Sequence, residues 1–356
     1  MVHLGLVKHD VQPLPVQHSL MKSYNCFLFV LVALVSLVGT CANVSAQTSQ
    51  NAQPELVLMA DIRLDSTDTL FSRSKVEAGL ALALDLTGRY NLIASEYRDS
   101  VAREIMKVPG TQLSLKDIAG VCNASSAVFA SCLRIGNLLR TEFNLVVGPT
   151  FTEQRYGVGY DIIRLRTEGN QLLPDPAILR ALQRAVCAAH NDPDMYSSAP
   201  QGLRTRPSEL VVVGGIHFVQ PPAEQPWSLF SEKITVSYDV VETIVHECSN
   251  DSTRTVVDVE TRDAIYAQAG LYMVENYNPI SENELGILTK YEVQFFITGT
   301  LRRTDKGALL ELQYSRLGPD AMLIPLLKSS VPISTDSKVA LRDAVRVAVR
   351  QLFTGS

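Results

Sequence analysis

The sequence predicts an α/β fold of two tandem, three-layer-like modules, each a mixed sheet with packed helices. Three observations predict it. Strand-like and helix-like segments alternate along the chain instead of segregating. Their order (strand, helix, strand, helix, helix, strand, hairpin, helix) occurs twice. A stretch rich in Pro, Ser and Gly, residues 191–207, separates the two occurrences and reads as a linker. The length of 356 residues allows about two domains at roughly 100–200 residues each. A hydrophobic content of 46% with 19% charged residues supports packed cores and argues against global disorder.

The first module covers residues 55–190. "ELVLMADIRL" (55–64) is an apolar run of strand length. "SRSKVEAGLALALDLTG" (72–88) is a helix. Val76, Leu80, Ala83 and Leu84 line one face, Ser74 and Glu77 have capping-box spacing, and Gly88 stands where a glycine ends a helix. "RYNLIA" is a short strand. "SEYRDSVAREIM" and "SLKDIAGVCNA" are helices, and the latter leads into the strand "SAVFASCLRI" (126–135). "NLVVGPTF" and "GYDIIRLRT" form a hairpin with "TEQRYGVG" near its turn, so Gly157-Val158-Gly159 reads as turn. "DPAILRALQRAVCAAH" (175–190) closes the module. Asp175 caps this helix, Pro176 suits its first turn, and Ile178, Leu179, Leu182, Val186 and Ala189 form its stripe.

The second module covers residues 208–356 in the same order. "SELVVVGGIHFV" (208–219) mirrors the first strand. "SEKITVSYDVVETIVHEC" (231–248) fills the helix slot through Val236, Val240, Val241, Ile244 and Val245, although its β-branched content also suits a strand. "TRTVVDV", "ETRDAIYAQAG", "SENELGILTK" and "YEVQFFITGTLRR" follow as strand, helix, helix, strand. A hairpin of "ALLELQYSRL" and "AMLIPLLKSSVPI" precedes the helix "TDSKVALRDAVRVAVRQLF" (335–353), striped by Leu341, Val345, Ala348, Val349 and Leu352. Residues 128–134 (VFASCLR) align without gaps to 296–302 (FITGTLR), which sets Ser131-Cys132 against Gly299-Thr300 and makes one strand a degenerate copy of the other.

The amino end is expected to be an export signal. "CFLFVLVALVSLV" (26–38) is shorter than the roughly 20 apolar residues of a membrane span. It follows Met21-Lys22, an alternative start, and Val44 and Ala46 occupy the positions a signal peptidase reads, so cleavage after Ala46 is expected. Residues 47–54 then form a polar lead. "LVGTC" (37–41) raises lipidation at Cys41 as the alternative, with Val38 and Thr40 fitting a lipobox poorly. Loss of residues 1–46 removes Lys8, Lys22 and Asp10, leaving 30 basic and 36 acidic side chains, about −6. No Lys/Arg-rich run occurs, so nucleic acid is not an expected partner. In an oxidising compartment Cys122, Cys132, Cys187 and Cys248 are candidate disulfide cysteines, with free buried thiols the alternative and no pairing chosen.

The stretch "RTVVDVETRDAIYAQAGLYMVENYNPISENELGILTKYEVQFFITGTLRR" (254–303) resembles the curli-secretion-channel (CsgG-like) family and its relatives. Those are the TolB amino-terminal domain and the lipoprotein activators of penicillin-binding proteins. The resemblance rests on Val256–Glu260, Arg262–Gln268, Asn278-Pro279, Glu284-Leu285-Gly286 and Thr298-Gly299-Thr300. The first half is similar more loosely, through "LTGRYNLI" (86–93) and "SLKDIAGVCNASSAVFASCLRIG". The resemblance implies the fold, tandem modules of this kind, and a role in binding or organising envelope proteins. The chain departs from the curli channel in lacking a good lipobox and in carrying Arg164, Arg166 and Glu311 within its hairpins, which argues against a pore.

No residue set points to chemistry. Walker, G-x-S-x-G and H-E-x-x-H motifs are absent. His217 reads as a core or edge histidine of a strand. His246-Glu247-Cys248 are neighbours whose side chains diverge in a helix or strand, so no catalytic, cofactor-binding or metal-ligating residue is named and no cofactor is expected. Trp227, in the Pro-rich "QPPAEQPWSLF", is either a packed anchor or a partner contact. The expected function is therefore that of an exported, non-enzymatic protein of the cell envelope, periplasmic or secreted. It would bind envelope proteins or itself, using sheet edges and module faces, with peripheral membrane association allowed and no transmembrane span after cleavage. A periplasmic small-ligand binder using the cleft between modules is the alternative, and a hydrolase-type enzyme comes third.

Overall fold

Five strands in each half assemble in one shared order. The computed structural model describes residues 53–356 apart from 65–71, 109–112, 149, 169–170, 175–176, 223–226, 250, 252, 321 and 355–356. The expected export signal (1–46) and the capping pair Asp175-Pro176 lie outside the described residues. The first half runs β1 (Glu55–Leu64), α1 (Arg73–Asp85), β2 (Tyr90–Ile93), α2 (Ser95–Ile105), α3 (Leu115–Val121), β3 (Ser126–Ile135), β4 (Leu138–Val147), β5 (Glu153–Ile162), a small hairpin of β6 (Leu165–Glu168) and β7 (Gln171–Pro174), and α4 (Ala177–His190). The second runs β8 (Glu209–Val219), α5 (Ser228–Ser231), α6 (Lys233–Cys248), β9 (Arg254–Val257), α7 (Val259–Gln268), α8 (Glu282–Thr289), β10 (Phe295–Thr304), β11 (Gly307–Leu317), β12 (Leu323–Ile333) and α9 (Lys338–Thr354). The sheets are ordered β2-β1-β3-β4-β5 and β9-β8-β10-β11-β12. In each, the first three strands are parallel and the last two antiparallel. The two modules therefore share one α/β, mixed-sheet architecture. Among the described residues no helix is long and apolar enough to cross a membrane.

Both faces of β1 and β8 are covered over their first halves, which is why 57–60 and 210–213 read as unbroken apolar runs. In the first module α1 and α4 pack on the side of Val57, Met59, Val128, Phe143 and Leu145. Helices α2 and α3 pack on the opposite side, over Leu58, Ala127 and Val146. In the second, α6 and α9 cover Val211, Val213, Ile297 and Leu310, while α7 and α8 bring Ile265, Leu285 and Leu288 onto Val212 and Phe296. That last cluster continues into the first module through Ile135, Leu138, Tyr160 and Ile162. Residues 191–207 are tied down as well: Met195, Tyr196 and Ala199 are buried in the first core, and Tyr196 Oη donates to the carbonyl of Ala83 (2.9 Å).

Residues 233–248 are helical, because burial of Val236, Val240, Val241 and Ile244 on one face outweighs their β propensity. Three local readings are corrected. The α1 cap is Ser72, whose Oγ accepts from Lys75 N (3.3 Å). Glu77 instead accepts from Ser95 N (2.6 Å), a backbone donor that the α2 N-terminus leaves open, and from the Ser95 hydroxyl. Gly157-Val158-Gly159 is mid-strand in β5. A Cβ on Gly157 would stand 2.1 Å from Ala185 O, and one on Gly159 2.0 Å from Ala181 O, so these glycines let the α4 backbone rest on the strand. The ungapped alignment is one residue out of step. Val57 faces Ser126 and Val211 faces Phe295, while the hairpins turn at Ile135/Leu138 and Thr304/Gly307. Ala130-Ser131 thus corresponds to Gly299-Thr300, and the matched Leu-Arg pair is coincidental.

The first core also holds a pH-sensitive contact. His190 Nδ1 donates to Val186 O (2.9 Å), and its Nε2 accepts from Tyr90 Oη (2.7 Å) when the ring is neutral. Burial, aided by Arg155 and Arg89, outweighs the Val186 bond and holds the imidazole below its ordinary value of 6.5. The unfolded chain then binds the extra proton more readily, so stability is full above about pH 6.5 and falls as pH drops towards the folded value. Denaturant titrations at about pH 7 and pH 5 should show this loss, and His190→Asn should flatten it. An unchanged slope in the variant sinks the assignment.

Candidate functional site

Each central strand carries a bulge at the same place. One extra residue lies on β1 between Met59 and Asp61, opposite Val128 and Phe129. One lies on β8 between Val213 and Ile216, opposite Ile297 and Gly299. A bulge bends the strand and turns backbone groups out of the ladder. In both modules an arginine from the next helix layer takes them. Arg98 of α2 donates to Met59 O (2.8 Å) and Ala60 O, and Arg262 of α7 donates to Val213 O (3.0 Å). Each also bonds the following aspartate, Asp99 (2.8 Å) or Asp263 (3.0 Å). The signal is legible in retrospect as a repeated Glu-x-Arg-Asp, 96–99 and 260–263.

In the second module the same arginine organises the α7–α8 loop, residues 269–281. Arg262 Nη2 donates to Asn276 Oδ1 (2.6 Å), and Ile216 N donates to Asn276 O (2.7 Å). A Cβ on Gly215 would stand 1.8 Å from Asn278 O, so glycine there admits the loop. The loop is pressed onto the bulge while its tip stands in solvent: Tyr272 is 79% and Met273 91% exposed. On the α2–α3 side of the first module, Met106, Val108, Leu113 and Val121 are exposed too.

The opposite half of each helix-bearing sheet face opens into a groove of polar side chains. In the first module the groove holds about 210 Å³, lined by Asp61, Arg63, Phe129, Ser131, Glu142, Asn144 and Tyr156. In the second it holds about 460 Å³, lined by Thr298, Thr300, Glu311, Gln313, Lys328 and Ser330. Strand register makes them one site written twice. Ser131 faces Glu142 and Phe129 faces Asn144. Thr300 faces Glu311 and Thr298 faces Gln313. Burial disfavours the Glu142 carboxylate, but bonds from Arg140 and from Ser131 Oγ (2.8 Å) outweigh it and hold the group below the usual carboxylate range.

The contact between the modules is filled. Besides the shared apolar cluster, Asn137 N donates to Thr261 Oγ1 (2.9 Å) and Asn137 Nδ2 to Asp258 Oδ2 (3.3 Å). Tyr160 Oη donates to Glu292, and burial together with that bond raises the phenol well above its usual value. Arg140 reaches the same carboxylate (3.3 Å).

The residues singled out in the sequence lie apart from one another. Trp227 is half-buried against the second core at the start of α5, with the Arg303 guanidinium 4.2 Å over its ring. The four cysteines are buried thiols: Cys132 and Cys187 in one layer of the first module, Cys122 in the other, Cys248 in the second module. Burial pushes Cys187 and Cys248 up to about 12, which keeps both protonated. His246 is exposed while Glu247 turns to Arg346 (3.4 Å), so the His-Glu-Cys neighbours diverge. His217 is exposed on β8. Among the described residues no group of three metal-ligating side chains converges.

The outer edge at β12 is guarded. Pro332, Ser330, Lys328 and Pro325 oppose alternate β11 residues Leu309, Glu311, Gln313 and Ser315. All four share one hydrogen-bonding class, and proline has no N–H, so this class faces outward. Of these four positions only Lys328 and Ser330 offer outward donors. The opposite edges, β2 and β9, are four residues each. Short strands, proline and lysine are how sheets discourage strand addition. Module faces and loops are the better contact surfaces.

These features define a two-module α/β protein with a repeated bulge-and-arginine device. No protein-family model matches the chain, and no curated protein matches it. Among solved structures it is similar to the LpoB C-terminal domain from Salmonella enterica, with 13% identity over 35% of this chain and 83% of that one, at a TM-score of 0.26. The same domain from Escherichia coli gives 15% identity over 31% and 84%, with a TM-score of 0.23. TolB from Acinetobacter baumannii gives 12% identity over 39% and 28%, with a TM-score of 0.21. Likenesses this slight carry no argument about this chain.

Proposed function

We propose that the chain is an exported, non-enzymatic protein of the cell envelope that binds or organises protein partners. It is periplasmic or secreted after cleavage near Ala46, with modules at 55–190 and 208–356. The observation that supports this reading is the α7–α8 loop. Its base is fixed by Arg262, Asn276 and Gly215, so ordering it on binding costs little, and its tip holds Tyr272 and Met273 in water. Exposed apolar side chains on a fixed support are the usual anchors of a protein contact.

The test is affinity capture from envelope extract with the tagged full chain, followed by titration of the recovered partner. Tyr272→Ser with Met273→Ser should weaken that partner about 10- to 100-fold, the loss of about 1.4–2.8 kcal/mol that anchor residues carry. Stability should stay within about 0.5 kcal/mol, as for other surface changes. Recovery of no partner, or undiminished affinity in the variant, overturns the reading.

A further inference from the structure

We infer that the two grooves are saccharide-binding sites, one per module, independent of the protein contact proposed above. The register supplies the first argument. Two open sheet faces on different modules keep the same constellation, a hydroxyl across from a glutamate and an amide one pair further along. Solvent-facing positions with no shared task have no reason to retain such a set.

Charge supplies the second. Each groove holds one glutamate that is already paired with a cation: Glu142 with Arg140, Glu311 with Arg302 at 3.8 Å. An anion meets the carboxylate, and a simple cation meets the neighbouring guanidinium. A neutral ligand rich in hydroxyl groups meets neither obstacle, and a carboxylate flanked by an amide accepts from adjacent hydroxyls. Tyr156, 53% exposed at the first groove, offers a ring face on which the C–H side of a sugar can stack. The volumes of 210 and 460 Å³ lie around the lower end of the about 300–1,000 Å³ of small-ligand sites, which suits one or two sugar rings. The second groove has Lys328 in place of the tyrosine and binds more weakly.

The experiment titrates the full chain with chitobiose, cellobiose and lactose, reading saturation-transfer NMR for contact and calorimetry for stoichiometry. At least one disaccharide should bind in the millimolar range with two sites per chain. Glu311→Gln should remove the weaker site and Glu142→Gln the tighter, and the double variant should bind none. Tyr156→Ala, which removes the ring and its own contact with Glu142 but keeps Arg140 and Ser131 on that carboxylate, should also weaken the tighter site, and thermal melts of all variants confirm folding. The inference is overturned if none of the three sugars gives saturation transfer at tens of millimolar, or if binding persists undiminished in the folded double variant.

Discussion

Gly159→Ala is expected to destabilise the protein by about 3–5 kcal/mol, at the upper end for a single methyl group. The added Cβ would stand 2.0 Å from Ala181 O and 2.4 Å from Ala185 N. Both are backbone atoms of α4, so no side chain can swing aside. The helix as a whole would have to lift from β5, opening the core around Leu182 and Val186. Gly157→Ala meets the next turn of the same helix in the same way, at 2.1 Å from Ala185 O. Gly120→Ala serves as the control. It has open space around its Cβ and should be neutral or stabilise α3 by up to about 1 kcal/mol. Urea denaturation measures all three. A Gly159→Ala protein as stable as its parent would refute the backbone-on-backbone packing of α4.

Arg262→Ala is expected to cost about 2–4 kcal/mol and to release the α7–α8 loop. The side chain is 3% exposed and serves Val213 O, Asn276 Oδ1 and Asp263 together. Its loss takes the side-chain donor from two acceptors, Val213 O at the bulge and Asn276 Oδ1 in the loop. Arg262→Lys keeps the charge but not the planar fork, so it should recover only part of the loss. Limited proteolysis should show new cleavage within 269–281 in the alanine variant before global unfolding. Resistance equal to the parent's would mean that Gly215 and the Ile216–Asn276 backbone bond hold the loop alone.

The architecture was legible because periodicity and order were strong. The α9 stripe of Leu341, Val345, Ala348, Val349 and Leu352 is buried as expected, and the repeated element order becomes a repeated strand order. Glycine misled where it serves two purposes. Gly157-Val158-Gly159 signals a turn by composition, yet the same absence of a Cβ serves close approach by a helix that lies next to the strand only in space. Identity misled at 128–134, since one Leu-Arg match outweighed a register that only hydrogen bonding reveals. The Glu-x-Arg-Asp repeat stands in the sequence, but its meaning depends on a bulge that sequence does not mark. The grooves were out of reach altogether. They draw residues from alternate positions on four strands in the first module and three in the second, and Ser, Thr, Asn and Gln on a strand carry no signal by themselves.

The turn at Gly136-Asn137 seats on Thr261 of a helix more than a hundred residues later in the chain. During synthesis the first module is complete long before its seal arrives. Ile135, Leu138, Tyr160 and Ile162 stay uncovered until α7 and α8 follow, an interval in which apolar surface invites misassembly. A chain stopped near residue 207 would leave these four side chains without the cover that the second module gives them.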